Sequence, residues 1–159
     1  MIEPATARLL YIQPALARLG LYSVPAERLL MGTAAVESNF TNFVQFGGGP
    51  ARGMFQMEES TFHDMFNRVL SKKHNAALKA AVLATSSKNP PTFLELTTNH
   101  LFAAAMARVK YCSIPVPIPE GLDDQAEYWW VYYNGRSPHG LKPMNYIKSW
   151  NSYCAPLYS

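Results

Sequence analysis

The stretch that decides the fold runs from Ala34 to Phe62 and reads AAVESNFTNFVQFGGGPARGMFQMEESTF. It opens on the apolar end of a predicted helix, whose last turn carries a single carboxylate, Glu37. Gly47-Gly48-Gly49-Pro50 has little capacity for regular structure and predicts a surface loop. Beyond the loop lies a compact run, Gly53-Met54-Phe55-Gln56-Met57, that ends in two further acids. One acid is thus set against an apolar wall, an environment that raises the pKa of a carboxyl group.

Upstream of this stretch the pattern predicts two helices. Residues 5–19 have a helical apolar face, which Pro14 bends or divides and Gly20 ends. The second helix begins at Ser23, a candidate N-cap, and runs to about Ser38. Glu37 therefore belongs to a helix end rather than to a loop.

Downstream the pattern is again helical. Helices are predicted at residues 59–70, 75–84, 92–111, 123–133 and around 143–150. Residues 114–119 alternate proline with β-branched residues and predict an extended, rigid segment. We expect one mainly α domain over residues 1–159, in which a short β-hairpin inside residues 39–57 is compatible with the pattern.

Composition narrows the classes of function. With 159 residues, 48% hydrophobic and 16% charged, the chain can bury a core of its own and is not a disordered segment. The net charge of +3 favours an anionic polymer or surface as partner. The basic residues are scattered, with Lys72-Lys73 the only doublet, so we predict no nucleic-acid binding. The four histidines lack the spacing of metal ligands, so we predict no metal.

The cysteines and the first residues bear on the compartment. Cys112 and Cys154 lack CxxC spacing, which leaves two readings: two reduced thiols, or one disulfide. Near the start, Glu3 stands where a signal peptide would be basic, and Pro14 interrupts the apolar run. We expect neither a signal peptide nor a membrane span.

Three motifs, taken in order, resemble those of the soluble lytic transglycosylase and goose-type lysozyme superfamily. Glu37-Ser38 stands at the family's Glu-Ser pair, which ends a helix. Gly53-Met54-Phe55-Gln56 stands at its Gly-Leu-Met-Gln, and Tyr132-Tyr133-Asn134 at its Ala-Tyr-Asn. The resemblance covers roughly residues 25–150. It implies a lysozyme-like helical fold and cleavage of the β-1,4 bond between N-acetylmuramic acid and N-acetylglucosamine in peptidoglycan, with no cofactor.

The resemblance also implies roles for individual residues. Glu37 would protonate the leaving glycosidic oxygen and then act as a base; its alternative is a solvated glutamate at a helix end. The implied substrate-binding residues are Ser38, Met54, Phe55, Gln56, Tyr133 and Asn134, with the backbone at Met54 and Phe55 lining the sugar cleft and the Tyr133 hydroxyl holding Glu37. The alternatives are structural: Ser38 as a cap, residues 53–57 as a turn beneath the core, and Tyr133 and Asn134 as packing and a helix cap.

Glu58 decides between two products. A transglycosylase needs no second acid, whereas an inverting lysozyme uses one to activate water. Glu58 follows the second motif where goose-type enzymes carry an acid, but it also suits the positive pole of a helix N-terminus. The loop acid of goose-type enzymes has no counterpart between Asn39 and Gly53. Transglycosylation is therefore favoured over hydrolysis.

The setting expected from these features is a bacteriophage protein. Without a signal peptide, an enzyme for the bacterial cell wall and periplasm would arrive in the virion or tail, or as a host-lysis protein, and phage tail or virion proteins would be its partners. Two other classes compete with the enzyme: a structural tail component that keeps the fold without activity, and a helical nucleic-acid-binding module.

Overall fold

The computed structural model describes the backbone of residues 1–159 and every side chain except that of Phe46. About 64% of the chain is helical, and the β-structure of the described residues is one two-stranded antiparallel sheet with an isolated bridge from Val44 to Arg52. The sheet pairs Ala51 with Glu58 and Arg52 with Met57. The predicted fold class, a mainly α single domain with a short hairpin, is confirmed.

The helices and strands follow the predicted order. The first half contains α1 (residues 4–18), α2 (Val24–Ser38), β1 (Ala51–Arg52), β2 (Met57–Glu58) and α3 (residues 59–70). The second half contains α4 (Ala76–Thr85), α5 (Glu95–Thr98), α6 (His100–Cys112), α7 (residues 122–134) and α8 (Pro143–Tyr153). Short 3-10 turns lie at Phe46–Gly48, Lys73–Asn75 and Ala155–Leu157.

Helix α1 shows how its sequence shapes it. The segment Ala7–Ile12 is π-helical, and the Gln13 N–H donates to the Arg8 carbonyl, five residues back. This wider turn directly precedes Pro14, which has no N–H to donate and whose ring crowds the preceding turn. The helix stops at Gly20, where φ is +68° and the Leu21 N–H donates to the Leu16 carbonyl at 2.9 Å, in a Schellman motif.

Helix α2 is the central helix of the core. The Ser23 hydroxyl caps it by accepting from the Ala26 N–H at 3.1 Å. Helices α6, α7 and α8 pack against it. A Cβ at Gly32 would collide with the Tyr146 hydroxyl of α8, and the Thr33 hydroxyl hydrogen-bonds that of Tyr111 of α6 at 2.8 Å. The helix that carries Glu37 is thus fixed from several sides.

A buried carboxylate ties the two chain ends to α2. Glu27 is 1% exposed and accepts from Arg8 at 3.3 Å, from the Tyr158 hydroxyl at 2.8 Å and from Gln13. Because a buried charge is costly unless it is paired and hydrogen-bonded, these donors are required rather than incidental. They hold α1 and the C-terminal turn onto the first turn of α2.

The predicted helix over residues 92–111 is wrong in two respects: it begins only at Glu95, and it is divided at Asn99. Asn99 is extended, with φ −111° and ψ 93°, and its Oδ1 accepts from the Phe102 N–H at 3.0 Å. Its Nδ2 donates to the Thr85 carbonyl at 2.9 Å. Asn99 thus caps α6 and anchors it to α4. Apolar periodicity is the same on both sides of Asn99 and does not reveal this break.

Two other expectations are decided by the fold. Cys112 is half-buried and Cys154 buried, and both are free thiols, so the disulfide alternative is excluded. None of the described helices has the length and apolar character needed to cross a membrane.

Two glycines with positive φ provide a matched test of the fold. Gly20 has open space around an added Cβ, whereas at Gly53, with φ +84°, a Cβ would collide with the Leu96 carbonyl oxygen. We expect Gly20→Ala to cost about 1 kcal/mol from backbone strain alone. Gly53→Ala should cost about 3 kcal/mol, because the backbone carbonyl cannot move aside cheaply. Urea unfolding of both variants measures the difference, and equal losses would contradict the packing of Gly53 under α5.

Candidate active site

Glu37 lies at the point where α2 ends in a sharp turn. Asn39 and Phe40 both have left-handed backbones, with φ of 52° and 55°. Ser38 stabilises this turn, since its hydroxyl donates to the Ala34 carbonyl at 3.0 Å and accepts from the Phe40 N–H at 3.2 Å. The chain leaves the helix abruptly, so Glu37 stays at the edge of an open cleft.

Ser38 is therefore corrected from a substrate-binding residue to a structural cap. It is 1% exposed, and it is not among the residues that line the cleft beside Glu37. Both of its hydroxyl hydrogen bonds are made within the turn that ends α2. Of the two alternatives at this position, the structure selects the cap.

The cleft has a volume of about 530 Å³ and combines residues that are far apart in the chain. Its walls come from the end of α2, the loop and hairpin of residues 42–58, helix α6, and the end of α7 with the following loop. Five residues predicted for the site line it: Glu37, Gln56, Glu58, Tyr133 and Asn134. Three regions read separately in the sequence thus meet around one space.

The Glu37 carboxyl is mostly buried and is held by an indole. The Trp129 Nε1–H donates to its Oε1 at 3.0 Å. Burial raises the pKa of Glu37 from 4.5 to about 7, against the lowering effects of the Trp129 hydrogen bond and the Lys110 charge. Near neutral pH the group is therefore poised between its acid and its base forms.

Tyr133 does not hold Glu37 through its hydroxyl, which corrects the prediction. The Tyr133 hydroxyl donates to the Phe55 carbonyl at 2.7 Å and so ties α7 to the hairpin turn. Trp129 holds the carboxyl instead, one helical turn before Tyr133. Trp129 was not among the predicted site residues, although its spacing of four residues from Tyr133 places both on one helical face.

Met54 and Phe55 support the cleft but do not line it, which corrects a third prediction. Their side chains are 0% and 2% exposed, and neither residue belongs to the cleft wall. Phe55 contributes the carbonyl that Tyr133 binds. The two middle positions of the second motif thus anchor the hairpin in the core.

Gln56 fixes the loop above the cleft. Its backbone is left-handed, with φ 47°, and its Nε2 donates to the Gly53 carbonyl at 2.9 Å and the Asn42 carbonyl at 3.1 Å. One side-chain amide therefore joins the hairpin turn to the loop that follows α2. Gln56 both lines the cleft and sets its shape.

Lys110 is a site residue that sequence reasoning missed. Its ammonium donates to the Tyr133 carbonyl at 2.8 Å and lies 3.8 Å from the centre of the Tyr133 ring. Burial lowers its pKa to about 8, against the opposing effects of Glu37 and Glu58. A lysine in α6, a helix whose other residues are mostly buried, is the signal that could have identified it.

Glu58 and Asn134 line the cleft while serving the local fold. Glu58 is exposed, sits at the N-cap position of α3, and is close enough to Lys110 for its charge to favour the ammonium. The Asn134 Oδ1 accepts from the Ser137 N–H at 3.2 Å and shapes the turn after α7. Both residues therefore line the cleft and also have a local structural role, Glu58 at the start of α3 and Asn134 in the turn after α7.

The cleft brings together a proton donor poised near neutral pH, a buried cation and a second, exposed carboxylate. The Glu37 acid can give a proton to an ether oxygen bound against it, and the resulting carboxylate can take a proton back. The Trp129 N–H stabilises the carboxylate between the two transfers.

Comparison with known proteins does not assign the chain to a family. A scan against protein-family models found no match, and searches of curated proteins and of solved structures found none either. The case for a function therefore rests on the three motifs and on the chemistry of the cleft.

Replacing Trp129 by phenylalanine tests the hydrogen bond to Glu37. The indole N–H favours the charged form of the carboxyl, so its loss should raise the pKa of Glu37 by about one unit above its present value of about 7. A carbon-13 NMR titration of the glutamate carboxyls measures this. Trp130→Phe is the control, because the Trp130 N–H has no hydrogen-bond partner among the described residues. A fall in pKa, or equal shifts in both variants, would contradict the assignment.

Proposed function

We propose that this protein is a peptidoglycan lytic transglycosylase that cleaves the β-1,4 bond between N-acetylmuramic acid and N-acetylglucosamine. The observation that carries the proposal is the Glu37 carboxyl, mostly buried beside an open cleft and with its pKa raised to about 7. An acid of this kind is what protonation of a glycosidic oxygen requires. The ordered motifs around Glu37, Gln56 and Tyr133 support the same class of substrate.

The proposed reaction returns Glu37 to its starting state. The protonated carboxyl gives its proton to the glycosidic oxygen, the bond from that oxygen to C1 of the muramic acid breaks, and the N-acetylglucosamine leaves with a free 4-hydroxyl. The Glu37 carboxylate then takes the proton of the muramic acid 6-hydroxyl, whose oxygen bonds to C1 and closes a 1,6-anhydro ring. One side chain thus serves as acid and then as base.

Hydrolysis is the second candidate, because Glu58 lines the same cleft as Glu37. In that reaction Glu58 would activate a water, and the product would carry a reducing end. Two features favour transglycosylation: Glu58 is exposed at a helix N-cap position, where a carboxylate needs no catalytic reason, and the loop between Asn39 and Gly53 contains no acid.

A structural phage tail component that retains the fold is the alternative without activity. Burying an acid beside an open cleft works against stability, and a purely structural protein gains nothing from it.

The proposed setting is a phage virion or lysis protein that acts on the glycan strands of the bacterial cell wall and periplasm.

Glu37→Gln is the direct test of the proposed reaction. The amide fills the same space but cannot donate a proton, so release of muropeptides from purified peptidoglycan should fall at least about a hundredfold. Glu59→Gln is the matched control, since Glu59 is exposed and outside the Glu37 cleft.

Mass spectrometry of the wild-type products should show anhydro-muramic ends. Reducing ends that disappear in Glu58→Gln would instead establish hydrolysis. If wild type and Glu37→Gln release equal, negligible amounts of muropeptide, the enzyme proposal is contradicted and the structural tail component is the alternative that stands.

The pH profile tests the coupling of Lys110 to Glu37. The ammonium favours the ionised carboxylate, so removing it in Lys110→Met should raise the pKa of Glu37. Activity requires the protonated acid in the first step, so the alkaline limb of the profile should move upward by up to about one unit. Lys110→Arg keeps the charge and should keep the limb near its wild-type position. A limb that moves downward in Lys110→Met would show that Lys110 does not act on Glu37 electrostatically.

A further inference from the structure

A second cleft, separate from that of Glu37, lies at another face of the molecule. Its volume is about 620 Å³, similar to that of the Glu37 cleft. It is bounded by the end of α1, the end of α3, the 3-10 turn Lys73–Asn75, helix α4 and the end of α6. The two clefts have no lining residue in common.

The lining of this cleft is basic. Four side chains that carry or can carry positive charge line it: Arg18, Arg68, Lys72 and His74. No aspartate or glutamate is among the described residues of its wall. All four side chains are exposed, so the positive potential of this concave surface is open to an anion from the solvent.

The fold brings basic residues from separate parts of the chain to one cleft, which their scattered distribution in the sequence does not reveal. Residues 65–94 contain five lysines and arginines and no aspartate or glutamate. Arg68 is paired with Asp64 at 3.1 Å, whereas Arg18 and Lys72 take part in no ion pair among the described side chains. Arg18 comes from α1, fifty residues or more before Lys72 in the chain, and meets it only in the folded protein.

The chemistry of the wall selects among anions. Two guanidinium groups present planar donor forks, and a phosphate group has enough oxygens to contact several cations at once, more than a carboxylate has. The remaining wall is aliphatic, through residues such as Leu19, Val69 and Leu78. No phenylalanine, tyrosine or tryptophan is among its described residues, and the imidazole of His74 is the one aromatic ring of the described wall. A single ring cannot stack the successive bases of a nucleic-acid strand.

We propose that this cleft binds phosphate diesters of a flexible, non-aromatic chain, that is, a polyol-phosphate polymer. Arg18 and Lys72 contact successive phosphates, Arg68 contributes the edge of its guanidinium that Asp64 does not use, and the aliphatic wall faces the polyol. Binding here is independent of proton transfer at Glu37 and holds whether or not the proposed reaction is correct.

The test compares two charge-matched double variants of the full chain. Arg18→Gln with Lys72→Gln removes two charges from the cleft, and Lys88→Gln with Lys148→Gln removes two exposed charges outside it. Calorimetry measures binding of a synthetic glycerol-phosphate oligomer, of single-stranded DNA with the same number of phosphates, and of inorganic phosphate. Each titration is repeated between about 50 and 200 mM salt. Circular dichroism melts establish that all variants are folded.

The expected result is salt-sensitive binding of the glycerol-phosphate oligomer that weakens about tenfold or more in the cleft variant. The slope of log affinity against log salt should fall by about one for each phosphate contact removed. The control variant and Glu37→Gln should bind like wild type. Equal losses in both double variants, tighter binding of DNA than of the oligomer, or inorganic phosphate that binds as well as the oligomer would each overturn the proposal.

Discussion

The candidate active site depends on one partly buried hydrogen bond, from the Trp129 indole to the Glu37 carboxyl, made where the central helix ends. The apolar helices around α2 exclude water from this carboxyl, and the indole is the donor that makes the partial burial tolerable. The acid is therefore held in one place by groups on α7, while the turn at Asn39 keeps its outer side open to the cleft. The position of the Glu37 carboxyl and its raised pKa therefore have the same cause, which is the packing of the other helices around the end of α2.

This arrangement works against stability. Because the pKa of Glu37 is about 7 in the folded protein and 4.5 in its ordinary state, the folded protein holds the proton more tightly than the unfolded chain does. As pH rises from about 4.5 to about 7, ionisation increasingly favours unfolding, at a cost on the order of 3 kcal/mol once complete. The well-packed core and the Glu27 network, which fastens both chain ends to the same helix, offset this cost.

The two clefts divide the surface by charge. The Glu37 cleft balances Lys110 against two carboxylates, which suits an uncharged glycan strand that must be protonated at one oxygen. The second cleft gathers basic groups without acids in its wall, which suits an anionic chain held by charge rather than by reaction. Under the two proposals, the strand that is cleaved and the chain that is held are different polymers, and each would meet the charge that suits it.

The sequence alone determined the mainly α fold and the limits of α2, because periodicity and capping residues act locally. It was compatible with a hairpin, and it grouped Glu37, Gln56 and Asn134 only through the motifs of the resemblance, since local signals do not say which parts of a chain meet. It did not determine the break at Asn99, since a side chain that caps one helix and anchors another has no periodic signature. The sequence also did not determine that Trp129 rather than Tyr133 holds Glu37. Nor did it show that Lys110 lines the Glu37 cleft and Arg18 lines the second cleft. Those contacts join residues distant in the chain, and only the packing of whole helices decides which side chains meet and how much water stays between them.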